Sequence, residues 1–256
     1  MRAYRLAYDC AGYRGFQRQP HGETVEDALF GALRDLDVAF GDGSPAGYTA
    51  AGRTDAGVSA RAQTVAFEAP EWLRPRAFDA ELPTDARAWA VAAVDADFHA
   101  TRDAAARTYR YFLYAPDAAH DLAEAACRRL SGCHEFGDFT PDDDGTVRDV
   151  AVSVGRDGPF LVVVVRAGGF PRQLVRRLVS AVEAVVRGRR DPAFLDRALG
   201  PAPLEGPEGI APAALEPLVL SDVAYPSVSF EVDEPAAAGR RDPGGRPEGG
   251  RRLSER

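Results

Sequence analysis

The 256-residue chain weighs 27.4 kDa and is 45% hydrophobic and 27% charged, which allows one large or two small cores and argues against global disorder. No run approaches the roughly 20 apolar residues of a membrane span. Met1-Arg2-Ala3-Tyr4 leads straight into an alternating pattern rather than a signal-peptide core, so neither a membrane nor a secreted protein is expected. The formal charge is −8, yet every base is arginine, and lysine and asparagine are absent. That bias fits a G+C-rich genome, and an acidic, lysine-free surface suits a salt-rich cytoplasm.

Residues 2–9 (RAYRLAYD) alternate and predict a strand. Thr24-x-x-Asp27 resembles a capping box and predicts an amphipathic helix to about Leu36. Residues 48–54 and 63–68 are candidate strands around a glycine-containing loop, and 88–94 is another. Residues 107–114 (RTYRYFLY) give the strongest strand signal of the chain. A helix over 117–130 ends at Gly132, and 147–154 with 159–166 predict a hairpin, Gly155 and Gly158 lying between. Pro171 is placed at a helix start, with Leu174, Leu178, Val182 and Val185 as the apolar face. Residues 218–224 and 228–232 close the set.

Strand, helix and further strands thus occur before about residue 97 and again after it, which predicts an α+β fold of two similarly built halves. The expected domains are 1–97 and 98–233, followed by 234–256. That last segment is rich in Gly, Pro and Arg, and disorder is expected for it.

Cys10, Cys127 and Cys133 are too few for a disulfide framework, and a reduced cytoplasmic protein is expected. The Cys127, Cys133, His134 spacing is not that of a zinc site, so no metal is expected. His21, His99, His120 and His134 form no spaced cluster, and phosphate-cradling glycine loops are absent. Residues 166–190 hold seven arginines against Glu183, a local +6 that a phosphate backbone could use despite the acidic average.

Ala51-Gly52-Arg53-Thr54-Asp55-Ala56-Gly57-Val58 is the sharpest feature. Two glycines bracket an Arg-Thr-Asp cluster at a strand end, where glycine permits tight turns or close approach. A carboxylate beside an arginine stays ionised and can act as nucleophile or base. From the residues alone, the plainer reading of Asp55 as a turn cap and Arg53 as a surface ion pair stands ahead.

Five segments change that balance. GRTDAGV (52–58) resembles the signature of the tRNA pseudouridine synthase A family. YDCAGYRGFQRQP (8–20), FHAT with RTYRYFLY (98–114), GGFPRQLVRRLVS (168–180) and ALEPLVLSDVAYP (214–226) resemble its other segments, in the same order. Ser59, Phe16, Gln173 with Leu174, and Pro217 stand where the family more often has His, Trp, His-Met and Gly.

The resemblance implies a pseudouridine synthase fold: two domains sharing an extended antiparallel sheet flanked by helices, with a central basic cleft. It implies isomerisation of uridine to pseudouridine at nucleotides 38 to 40 of the tRNA anticodon stem-loop, with no cofactor and with a homodimer as the working unit. Asp55 becomes the catalytic residue that attacks the target nucleotide. Tyr109 stacks on the base and handles a proton, Arg176 pairs with the carboxylate, and Leu218 forms an apolar wall. Arg53 meets a phosphate or helps expel the nucleotide from its stack, while Arg177 is expected as a solvated helix charge. The rivals are a non-catalytic RNA-binding protein on the same scaffold and a hydrolase using paired carboxylates.

Overall fold

The computed structural model describes residues 1–204, 206 and 209–238. In chain order its elements are β1 (Arg2–Tyr8), α1 (Val25–Asp35), β2 (Thr49–Ala50), β3 (Ser59–Phe67), α2 (Pro75–Glu81) and β4 (Ala86–Ala93). They continue with β5 (Ala106–Tyr114), α3 (His120–Leu130), β6 (Gly132–Glu135), β7 (Val147–Asp157), β8 (Phe160–Ala167) and α4 (Leu174–Val186). The last are α5 (Ala193–Ala198), β9 (Leu218–Ala224), β10 (Glu231–Val232) and α6 (Glu234–Ala238). The architecture is α+β. It divides into two compact units, 1–103 with 225–238, and 104–224. No described helix is long and apolar enough to cross a membrane.

In the first unit the strands run β10-β4-β1-β3, with β2 also on β3, and every pair is antiparallel. Tyr4, Leu6 and Tyr8 alternate onto one face of β1. Tyr4 stacks on Phe67 at 5.1 Å and meets the edge of Phe78 from α2 at 5.6 Å. Arg5 is buried along with the rest of β1 from Ala3 onward; it donates to Ala62 O and Thr64 Oγ1 and lies 4.4 Å over the Phe230 ring. The capping box forms as expected. The Asp27 N–H donates to Thr24 Oγ1 at 3.2 Å, and Thr24 N–H donates back to Asp27 Oδ2 at 3.2 Å. Asp37, at φ +52°, stops α1 in the left-handed conformation that usually ends a helix.

In the second unit the strands run β9-β5-β8-β7-β6, again antiparallel. Tyr109, Tyr111 and Leu113 on β5 face the same way as their partners Val165, Val163 and Leu161 on β8. Helices α3 and α4 pack against strands of this sheet. The expected α4 face, Leu174, Leu178, Val182 and Val185, is fully buried.

Several boundaries move for local reasons. Strand β7 runs on through Gly155 to Asp157, so the hairpin turn is only Gly158-Pro159, with Gly158 at φ +55°. Pro171 does not open α4: Gln173 is left-handed at φ +61°, which no α-helix continues through, and Pro171 instead starts the preceding turn. The strand expected over 48–54 keeps only Thr49–Ala50, and β3 begins at Ser59, ahead of the expected 63. Residues 228–232 contribute only Glu231–Val232. Helix α2, with Pro75 in its first turn, and the short β6 and α5 are not evident from periodicity. Residues 234–238, expected within the disordered tail, form α6 against β4 and α2 because Ala236 finds a site to bury itself. The rest of that tail, 239–256, lies outside the described residues.

The Thr24 cap supplies a testable increment. Replacing Thr24 by Ala removes the acceptor for the Asp27 N–H, and stability is expected to fall by about 1 kcal/mol. Urea unfolding should show the midpoint shift at unchanged slope; an unaltered midpoint would mean the cap is dispensable.

Candidate active site

Strand β2 is short because the chain peels away from β3. The Ala51 N–H still donates to Thr64 O at 2.8 Å. One step later the partner of β3 is a side chain: the Thr64 N–H donates to Gln63 Oε1 at 3.0 Å, and Gln63 Nε2 donates to Gly52 O at 2.8 Å. Gln63 is 0% exposed. From there the chain turns into the segment holding Arg53, Thr54 and Asp55.

That segment is fixed through its backbone and Thr54. The Phe16 N–H donates to Thr54 O at 3.0 Å, and the Tyr8 hydroxyl meets Thr54 Oγ1 at 2.7 Å. The Val58 N–H closes a turn onto Asp55 O at 3.1 Å, with Gly57 at φ +85°, as the third position of a type II turn requires. Gly15 lies against the same backbone: a Cβ there would sit 3.2 Å from Ala56 N and 3.3 Å from Thr54 O. None of these bonds uses the Asp55 carboxylate, so the turn does not depend on it as a cap. Arg53 and Asp55 are both exposed, flanking the buried Thr54.

Cys10 lies beneath the loop, its Sγ 3.9 Å from Asp55 O, and burial pushes its thiol above the ordinary range. It therefore stays neutral and offers no rival nucleophile. Ser59 is buried and its Oγ accepts the Cys10 N–H at 3.1 Å. Phe16 is buried against Tyr8, ring centroids 5.9 Å apart. Both substitutions relative to the family pattern thus serve the packing around the loop.

In the second unit, Tyr109 is half-buried, and its ring meets Phe170 edge to face at 5.4 Å. Leu218 is buried at the start of β9 opposite Tyr111, and Leu220 is opposite Tyr109, so the two leucines share the tyrosine face. Arg176 is half-buried on α4 with its Nε donating to Ala213 O at 2.6 Å. Arg177, expected as a solvated charge, is half-buried as well: it donates to Ile210 O at 2.6 Å and to Gln173 Oε1 at 3.1 Å. Left-handed Gln173 places its amide where the next turn of the helix can use it.

The local +6 is largely engaged. Arg172 pairs with Asp142 at 2.8 Å, and its backbone N–H and guanidinium hold that carboxyl below the usual range. Arg187 and Arg189 share Glu183, at 2.8 and 3.3 Å, and Arg190 lies 5.0 Å over the Phe194 ring. An arginine count along the chain cannot distinguish charges already partnered from charges left for a ligand.

The structure therefore places Arg53 and Asp55 on one loop of the first unit, and Tyr109, Arg176 and Leu218 in the second. Sequence reasoning missed Tyr8, Thr54, Gln63, Gly15 and Phe170. Gln63 carried a readable signal only in part: it is a long polar side chain in a strand of otherwise small and apolar residues apart from Arg61, and only the fold shows that, of these two, Gln63 is the one fully buried.

A family model described as tRNA pseudouridine synthase matches residues 126–226. Across nearly the whole chain, the protein is 65% identical over 243 residues to tRNA pseudouridine synthase A of Natronomonas pharaonis, covering 94% of this chain and 91% of the relative. The same-named protein of Haloarcula marismortui is 56% identical over 251 residues, with 94% and 91% covered. That of Archaeoglobus fulgidus is 34% identical over 236 residues, with 91% and 86% covered. With identity of this extent over almost its full length, the chain belongs to the tRNA pseudouridine synthase A family, isomerases that convert uridine to pseudouridine in tRNA.

Proposed function

We propose that the protein isomerises uridines 38 to 40 in the anticodon stem-loop of tRNA, with Asp55 as the nucleophile. The observation that carries this reading is an exposed carboxylate on a loop whose backbone is hydrogen-bonded to buried groups. Such a carboxylate is open to substrate and held in place before substrate arrives.

In this reading an Asp55 oxygen attacks C1′ of the target nucleotide as the N1–C1′ bond breaks and uracil leaves with the electron pair. The base turns, C5 bonds to C1′, and the carboxylate is expelled. The C5 proton is then lost and N1 gains one, so the overall change is an isomerisation with no oxidant, metal or nucleotide consumed. Tyr109 stacks on the base, its ring backed by Phe170, and its hydroxyl handles a proton. Leu218 provides apolar packing, Arg176 supplies positive charge, and Arg53, exposed two residues before Asp55, takes a phosphate. The same reading has the protein act as a cytoplasmic homodimer.

Asp55→Asn is nearly isosteric and spares every hydrogen bond that holds the loop. It is expected to fold and bind tRNA with near-normal affinity, while pseudouridine falls below detection by carbodiimide labelling. Activity within about tenfold of wild type, only about 1.4 kcal/mol of barrier, would remove Asp55 as nucleophile, and release of free uracil by the wild type would favour a hydrolase. Tyr109→Phe keeps the ring and its edge contact with Phe170; turnover is expected to drop on the order of 10²-fold at unchanged melting temperature. A wild-type rate would reduce Tyr109 to a stacking surface.

A further inference from the structure

In an antiparallel ladder a hydrogen-bonded pair exchanges two N–H···O bonds, so Thr64, whose carbonyl accepts the Ala51 N–H, would donate its own N–H back to Ala51 O. Here the carboxamide of Gln63 takes the Thr64 N–H and passes its own N–H to Gly52 O, one residue further along. A side chain stands in for a rung of the sheet and shifts the bond by one residue at the point of departure. Both partners dictate its chemistry: a donor must face Gly52 O and an acceptor must face Thr64 N. An ionised glutamate supplies only acceptors and an aliphatic side chain supplies neither.

The same Nε2 is 3.5 Å from the Tyr8 hydroxyl, which meets Thr54 Oγ1 at 2.7 Å. The amide thus reaches the loop twice, directly at Gly52 and through Tyr8 at Thr54, the residue before Asp55. Gln63, Tyr8 and Thr54 are all buried, so none of them is placed to touch RNA. Hydrogen bonds closed to water are hard to leave unmade, which makes the position of the loop responsive to this one side chain.

We infer that Gln63 is a positioning residue of the isomerase, acting on Asp55 through Gly52, Tyr8 and Thr54. The inference rests on the reading of Asp55 as nucleophile. Displacement of a reacting group by about 1 Å costs on the order of 10²-fold in rate, so the effect belongs in kcat and not in RNA affinity.

The test uses full-length Gln63→Glu and Gln63→Leu with a tRNA transcript, reading kcat and tRNA Kd from pH 5 to 8.5, with circular dichroism at each pH. A buried glutamate resists ionisation. In its neutral form it restores both bonds, the hydroxyl donating to Gly52 O and the carbonyl accepting from Thr64 N. Gln63→Glu is therefore expected to gain turnover as pH falls, a limb absent from wild type, with Kd within about twofold of wild type throughout. Gln63→Leu is expected to lose on the order of 10²-fold in kcat at every pH. A Gln63→Glu profile parallel to wild type, a loss confined to Kd, or failure of both variants to fold at every pH would overturn the inference. Asp55→Asn run alongside separates the two ideas. If it is inactive while Gln63→Glu follows wild type, positioning fails and the nucleophile stands. If it is active, the nucleophile assignment fails, and positioning of Asp55 with it.

Discussion

The hydrogen bond from Gln63 Nε2 to Gly52 O, 2.8 Å long, is made where two strands part, by an amide that is itself fully buried. A strand end normally frays into solvent, and its polar groups exchange partners freely. Here the parting is held by a buried amide, so the following residues leave the sheet in one direction. The Phe16 N–H, the Tyr8 hydroxyl, the Val58 N–H and the close approach of Gly15 then act on a segment whose origin is already set. The outcome is an exposed Asp55 on a backbone with little freedom. In the proposed role of Asp55, that combination answers the conflict between access and precision that any loop-borne catalytic group faces.

The second unit solves a related problem by packing. The apolar faces of β5, β8 and β9 present Tyr109, Tyr111, Leu218 and Leu220 on one side. Tyr111 is buried there, whereas Tyr109, two residues earlier, is only half covered. The edge of Phe170 limits the tilt of the Tyr109 ring, and ring geometry of this kind adds modestly to simple burial. Phe170 lies just before Pro171 and the left-handed Gln173, whose turn delays the start of α4 until Leu174. The irregular entrance to the helix and the support behind Tyr109 are thus parts of one short segment.

Charge is handled locally in both units. An acidic chain acting on a polyanion needs cations whose partners do not cancel them. Arg172, Arg187 and Arg189 are paired with carboxylates, while Arg176 and Arg177 donate to main-chain carbonyls, which leaves their formal charge uncancelled. Arg53 is exposed on the loop itself. Net charge and arginine counts say little about this distribution, because a count does not tell which arginines meet a carboxylate, whether four residues away as for Arg187 or thirty as for Arg172.

Local patterns in the chain determined much of the rest. The capping box at Thr24, the strands β1 and β5, the bounds of β9 and the apolar face of α4 each depend on neighbours within a few residues, and each is present. The loop motif around Asp55 was equally legible, as was membership of its family. Tertiary structure decided what those patterns leave open. Residues 48–54 are a candidate strand by composition, yet the strand keeps only Thr49–Ala50 and ends after one last bond from Ala51, because the Gln63 side chain takes the Thr64 N–H. Pro171 satisfied the local rule for a helix start and was overruled by the left-handed Gln173. Residues 234–238 had too little apolar surface to fold by themselves and are helical because β4 and α2 offer Ala236 a place to bury. Hydrogen-bond partners 46 and 55 residues apart, as for Thr54 with Tyr8 and Gln63 with Tyr8, leave no trace in local spacing and arise only when the strands are brought side by side.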